Sequence, residues 1–163
     1  QNGYGKPLTV NGSNASAIYG FSLDTDATPD GRFKGDMLAD GTLSPMIETD
    51  KNGPLAVLHS ASKIDMPNTY SHLLNMKLSP YLVEGDVGKE AFYSLIMTWC
   101  QLGISHIQFN VVKRETLLDA QVHPENYPDL LVRVAGFSAY FVDLSKGLQD
   151  GIIARTEQET MSS

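Results

Sequence analysis

The sequence holds a single cysteine, Cys100, in 163 residues. One cysteine excludes an internal disulfide and every multi-cysteine metal motif. Basic residues are scarce as well: 12 lysines and arginines face 19 acids, for a formal charge of -7. They neither outnumber the acids nor cluster, which argues against nucleic acid or an anionic membrane as partner. No apolar run approaches the roughly 20 residues of a membrane span, and the N-terminal residues lack the basic and apolar regions of a signal peptide. The expectation from these absences is a cytoplasmic protein. The chain opens on Gln1 and not on methionine, as expected for a processed piece or the end of something longer.

Several catalytic patterns are missing too. No Gly-x-Ser-x-Gly elbow supports a serine hydrolase. Gly3-Tyr-Gly5-Lys6 lacks the preceding strand and the Gly-Lys-Ser/Thr ending of a phosphate loop. The four histidines, His59, His72, His106 and His123, stand at spacings that match no zinc pattern. What remains is 42% apolar and 19% charged residues, the composition of a globular domain with its own core.

Residues 1–28 read as loops with one buried strand at Ala17-Ile-Tyr-Gly-Phe21 and no helix signal. Thr28-Pro-Asp-Gly-Arg32 has the order of a tight turn, proline presetting φ and glycine supplying φ > 0. Three further turn signals follow in Leu38-Ala-Asp-Gly41, Ser44-Pro45 and Asp50-Lys-Asn-Gly-Pro54. Leu55-Ala-Val-Leu58 reads as a buried run, and residues 60–65 as a short helix or its cap. Asn68 to Leu78 is a mixed pattern buried at one face, interrupted by Pro80. Phe92, Leu95, Ile96, Trp99 and Leu102 recur at three- and four-residue steps, the stripe of an amphipathic helix with Gly103 as its stop and Trp99 and Cys100 as core residues. His106 to Val112 alternates and reads as a strand. A helix over Arg114 to Val122 with Leu117, Leu118 and Gln121 on one side, a strand over Leu130 to Ala135, and a last helix capped by Ser145 with Leu148, Ile152 and Thr156 along one side complete the reading. Helix, strand, helix, strand is the order of an α/β unit with parallel neighbours.

The densest signal is Leu130-Leu-Val-Arg-Val-Ala-Gly136-Phe-Ser-Ala-Tyr-Phe-Val-Asp-Leu-Ser145. A glycine inside a strand pattern marks a bulge, a sharp turn or a close approach of the backbone to another group. Arg133 on this stretch is either an anchor for the loop, through an ion pair or carbonyl contacts, or an exposed strand charge.

Arg133-Val-Ala-Gly136-Phe-Ser-Ala, with Asp150-Gly-Ile-Ile-Ala-Arg155-Thr downstream, resembles the C-terminal signature of the glycyl radical enzymes, the superfamily of pyruvate formate-lyase. Pro29-Asp-Gly-Arg32, Leu38-Ala-Asp-Gly41 with Ser44-Pro45, Thr49-Asp-Lys-Asn-Gly-Pro54 and Ser60-Ala-Ser62-Lys63 follow that family's order, so the likeness runs from about Thr28 to Glu157. The resemblance implies that Gly136 stores the radical and that Arg133, Val134, Ala135, Phe137 and Ser138 support its loop. A Cα radical lies between an electron-donating nitrogen and an electron-withdrawing carbonyl and is most stable when flat, which a side chain would hinder. The implied fold is the C-terminal part of a ten-stranded α/β barrel with the radical loop buried inside it. Residues 1–66 would form a loop-rich segment leading into a radical domain at 67–163. The implied cofactor is the glycyl radical itself, with no metal in this chain. S-adenosylmethionine and an iron-sulfur cluster would belong to a separate radical activase.

The family passes the radical to a cysteine on a loop well upstream of these motifs. Cys100 lies in none of that context, and the role is not transferred to it. The chain is therefore expected to be either the C-terminal piece of a larger enzyme or a small subunit replacing an oxygen-cleaved domain. The loops from Thr28 to Lys63 favour the former, and a non-catalytic α/β binding module is the alternative of another class. Other implied partners are the rest of the barrel with its cysteine loop, a small organic substrate and, for the full enzyme, a second copy of itself in a homo-oligomer. Ala135-Gly136-Phe137, where pyruvate formate-lyase proper shows Ser-Gly-Tyr, places the likeness with the dehydratases, carbon-nitrogen lyases, arylacetate decarboxylases and fumarate-adding synthases. Phe137 and the ending Ile152-Ile-Ala-Arg-Thr-Glu-Gln158 incline toward the decarboxylases and fumarate-adding enzymes.

Overall fold

Alternation of apolar and polar residues in two short segments sets the centre of the fold. In a computed structural model, which describes residues 10–11, 18–70, 72–155 and 157–161, β1 (Val10–Asn11) pairs parallel with β2 (Thr69–Tyr70). The main sheet has β3 (Asn75–Leu78) at its centre, flanked by β4 (Gln108–Val111) and β7 (Glu157–Gln158), all parallel. Met76, Leu78 and Phe109 point to one face, where they pack with α2 (Gly53–Ala61) and α3 (Gly85–Gln101) around Leu58, Leu74 and Leu95. Phe92, Trp99 and Leu102 of the predicted stripe close over this core, and α3 stops at Gly103 as expected. Cys100, read as core, is exposed instead, because it lies on the solvent side of the same helix.

A second core lies beside the first. Leu117 and Ala120 of α4 (Arg114–Val122) pack against Val132, Val134 and Phe141 and against Ile152 and Ile153 of α5 (Lys146–Ala154). Leu118 falls outside the buried side of α4 and is 43% exposed, since Ala120 takes the inward position. Ile152 is buried as expected, while Thr156 lies outside the described residues.

Two further expectations, about the type and pairing of elements, are corrected. A helix, α1 (Ile18–Asp24), stands where the sequence suggested a strand. A short apolar patch cannot distinguish the two by periodicity, and here Ser22 ties the segment down by bonding back to the Ile18 carbonyl at 2.7 Å and accepting the Leu38 N–H at 3.0 Å. The strand before Gly136, β5 (Leu131–Arg133), does not join the parallel sheet. It turns back antiparallel onto β6 (Ser138–Tyr140) as a separate hairpin. Gly136, Phe137 and Ser138 at its tip are exposed, so the burial expected of this loop is not supplied by the described residues, none of which packs over the tip.

The loops expected at a surface or site are ordered by side-chain bonds to backbone. Thr28–Gly31 forms the Pro-Asp-Gly turn, closed by Gly31 N–H to the Thr28 carbonyl at 3.1 Å. Buried Arg32 donates to the carbonyls of Thr25, Asp26, Phe33 and Asp36 at 2.6–3.0 Å. Gly41 lies so close to the backbone entering β3 that a Cβ would collide with the Leu73 carbonyl and Ser44 Oγ. Gly41→Ala is therefore expected to lower the urea-unfolding free energy by about 1–3 kcal/mol, the usual cost of overpacking. Gly20→Ala, where a Cβ meets nothing within 4 Å on exposed α1, should leave it unchanged or slightly higher; equal losses would show that the approach at Gly41 relaxes freely.

Candidate functional site

Register places Asn75 beside Gln108 and Lys77 beside Asn110, on the face of the sheet opposite the apolar core. Alternating polar residues on a strand ordinarily meet water. These four are only 7%, 7%, 1% and 5% exposed, respectively, so their hydrogen-bonding groups need protein partners. The partners are the Gly136 hairpin, the Asp40 loop and the end of α5.

Asn110 donates to the Arg133 carbonyl at 2.8 Å and accepts the Arg133 N–H at 2.7 Å. One side chain thus satisfies β5 as a neighbouring strand would. Gln108 Oε1 accepts from Arg133 Nε at 2.8 Å and from the Gly136 N–H at 3.3 Å, and its Nε2 donates to Asn75 Oδ1. Asn75 Nδ2 donates in turn to the Asp40 carbonyl at 2.9 Å, and the Asn75 N–H to Ser44 Oγ at 3.0 Å. Lys77 Nζ and Arg114 Nη1 both donate to the Ile153 carbonyl in the last turn of α5, at 3.2 and 2.9 Å, a favourable place for cations.

Immediately after α5, Arg155 forks onto the hairpin, Nη1 to the Arg133 carbonyl at 2.8 Å and Nη2 to the Val134 carbonyl at 2.7 Å, while pairing with Asp40. Burial pulls its guanidinium pKa below the ordinary value and Asp40 opposes that shift. The hairpin closes with Val134 N–H to the Phe137 carbonyl at 2.9 Å, and between them Gly136 takes φ +77°. A positive φ at the third position of a four-residue turn is the type II pattern, which selects glycine. A Cβ at Gly136 would meet nothing within 4 Å, so conformation and not crowding requires the residue.

Val134 is buried, Ala135 and Arg133 half-buried, and Phe137 and Ser138 exposed. Among the described residues Arg133 pairs with no acid, and it is not a free strand charge either; its guanidinium lies on Gln108 and reaches Ser138 Oγ at 3.3 Å. Carbonyl anchoring of the loop falls to Arg155. Sequence reading missed Asp40, Asn75, Gln108 and Asn110 and assigned Arg155 no role. The one available signal was the pair of amides alternating with apolar residues in Gln108-Phe-Asn110-Val. Nearby, burial first and then Arg133 and His72 hold the His106 imidazole pKa below its ordinary range, favouring its neutral form. Among the described residues no cluster of three or more His, Cys, Asp or Glu could hold a metal ion.

A glycine held at positive φ on the tip of a short hairpin, braced from a parallel α/β sheet by side chains alone, defines a backbone-presenting site. The chain belongs to the glycine radical family, whose model matches residues 39–142. It is 48% identical to the indoleacetate decarboxylase of Tractidigestivibacter scatoligenes over 84% of this chain and 16% of that protein. It is 42% identical to the isethionate sulfite-lyase of Bilophila wadsworthia over 97% and 20%. The glycerol-bound B12-independent glycerol dehydratase of Clostridium butyricum superposes with a TM-score of 0.88 at 42% identity, over 98% of this chain and 20% of the other. The fold is thus that of part of a glycyl radical enzyme's α/β barrel, and the chain spans a sixth to a fifth of the length of these relatives.

Lys77 yields a pH prediction. Burial pushes its pKa down from 10.5 to about 8, with Glu157 opposing and Arg114 and Arg155 adding to the shift. Below about pH 8 both folded and unfolded chains carry the proton, and the cost of burying the charge is present in full. Between about 8 and 10.5 the folded chain has lost it and the unfolded chain keeps it, so stability rises with pH. Unfolding free energies of the native chain and Lys77→Met, compared from pH 7 to 11, should diverge in favour of the native chain by about 3 kcal/mol. A difference independent of pH would show that the bond to Ile153 keeps the ammonium charged.

Proposed function

We propose that Gly136 is the radical-storing residue of an anaerobic glycyl radical enzyme, with Arg133, Val134, Ala135, Phe137 and Ser138 forming its supporting loop. The observation that carries this reading is Gly136 itself: a glycine required by φ +77° and free of any contact a Cβ would disturb, within the segment that matches the family. Removal of one hydrogen atom from its Cα, proton and electron together, leaves an unpaired electron between the Gly136 nitrogen and carbonyl. The open approach to the tip suits an external agent that takes this atom, an activase using S-adenosylmethionine and an iron-sulfur cluster. For turnover, Gly136 takes a hydrogen atom from the thiol of a cysteine outside this chain, so that its C–H bond re-forms as the S–H bond breaks. The sulfur-centred radical then starts cleavage at carbon in a small organic substrate.

The chemistry of the relatives supports a lyase or dehydratase reaction, with arylacetate decarboxylation and fumarate addition favoured by the wording around Phe137. Within this proposal residues 1–66 are a loop-rich segment leading into a radical domain at 67–163, and the bonds of Asp40 and Ser44 to Asn75 support that division. A homo-oligomer in an oxygen-free cytoplasm completes the proposal, since a carbon radical on an exposed glycine reacts with oxygen and its activase needs a reducing compartment.

Anoxic activation of the complete enzyme with its matched activase and S-adenosylmethionine, followed by air and intact-mass analysis, should give a backbone break confined to Gly136. Gly136→Ala, strained by about 1–2 kcal/mol at this φ, should fold, resist cleavage and lose turnover entirely. Substantial turnover by that variant would sink the assignment, as would an uncut native chain under an activase proven on another substrate enzyme.

A further inference from the structure

We propose that Gln108 is a positioning residue for radical storage: its side-chain oxygen fixes the peptide between Ala135 and Gly136, and with it the geometry in which the unpaired electron is held. The inference rests on Gly136 being the storage site. Its structural ground is a relay whose direction is determined from both ends. At one end the Asp40 carbonyl can only accept, so Asn75 turns its Nδ2 toward it at 2.9 Å and its Oδ1 toward Gln108. Gln108 must then present Nε2 to Asn75, leaving Oε1 for the hairpin. At the other end the Gly136 N–H and Arg133 Nε, at 3.3 and 2.8 Å, can only donate. Both ends require the same amide orientation, so Gln108 has no alternative flip to visit. It is 7% exposed, and water does not compete freely for its oxygen.

The consequence concerns the nitrogen beside the radical carbon. With φ at +77°, the Gly136 peptide nitrogen is twisted away from coplanarity with a flat Cα. How far that plane turns when the hydrogen atom leaves depends on what holds the N–H. An acceptor on the N–H also raises electron density at nitrogen, the donor side of the radical's stabilisation. The Arg133 and Val134 carbonyls are held separately by Asn110 and Arg155, and the Gly136 N–H is held by Gln108.

The test compares Gln108→Met, which keeps length but removes the acceptor, with Gln108→Glu, which keeps an acceptor for Gly136 and Arg133, in the complete enzyme. Before activation, hydrogen exchange at the Gly136 amide should be roughly threefold to tenfold faster in the Met variant, the range one ordinary hydrogen bond supports, and near native in the Glu variant. After anoxic activation, electron paramagnetic resonance should show an altered Gly136 Hα splitting and a lifetime shortened by a similar factor in the Met variant, both restored toward native by Glu. Native exchange, or native splitting and lifetime, in the Met variant would overturn the proposal while leaving Gly136 as the radical site. If the native enzyme carries no spin at Gly136 although exchange responds to Gln108, the storage reading itself fails and this inference falls with it.

Discussion

The arrangement depends on one constraint: a polar sheet face that is shut away from water must have every donor and acceptor answered. Asn75, Lys77, Gln108 and Asn110 occupy that face, and the groups that answer them are backbone atoms of the β5–β6 hairpin, the Asp40 loop and the end of α5. The sheet can therefore hold the hairpin in place without including it as a strand. A strand ladder would fix every residue of β5 alike. Side-chain bonds fix only the chosen atoms, the Arg133 and Val134 carbonyls and the Arg133 and Gly136 amides, and leave the Gly136 Cα untouched at the tip.

The same constraint gives Arg155 its importance. A buried guanidinium is tolerated when it is paired and hydrogen-bonded, and Arg155 is ion-paired with Asp40 on one side and bonded to two hairpin carbonyls on the other. Asp40 also lends its backbone carbonyl to Asn75. One short loop, Leu38-Ala-Asp-Gly41, thus supports both routes to the hairpin, which explains why Gly41 is drawn so close to the backbone entering β3.

Much of this was legible in the sequence, and what was not has a common physical cause. The amphipathic stripe of α3, the Pro-Asp-Gly turn, the strand over Gln108 to Val111 and the turn at Gly136 follow from local pattern, and the structure contains them. The hairpin instead of a parallel strand, and α1 instead of a strand, depend on partners distant in sequence: Asn110 and Arg155 for the first, Leu38 for the second. The site was half legible. Gly136 was visible because backbone conformation is a local property. Gln108 and Asn110 read only as members of an alternating strand, because alternation tells which residues share a face and not what covers it.

That division bears on why relatives with different reactions match this chain almost equally well, at 48% and 42% identity for a decarboxylase and a sulfite-lyase. The amide and guanidinium groups of Asn75, Gln108, Asn110 and Arg155 are directed at the hairpin, at one another or at Asp40. Residues so engaged constrain how a glycine is held and say little about which bond is broken elsewhere in an enzyme. On the proposed function, such a hairpin can be kept while substrate-binding walls change around it. Sequence in this segment then follows the demands of holding the glycine, and similarity across it measures membership of the family more than choice of substrate.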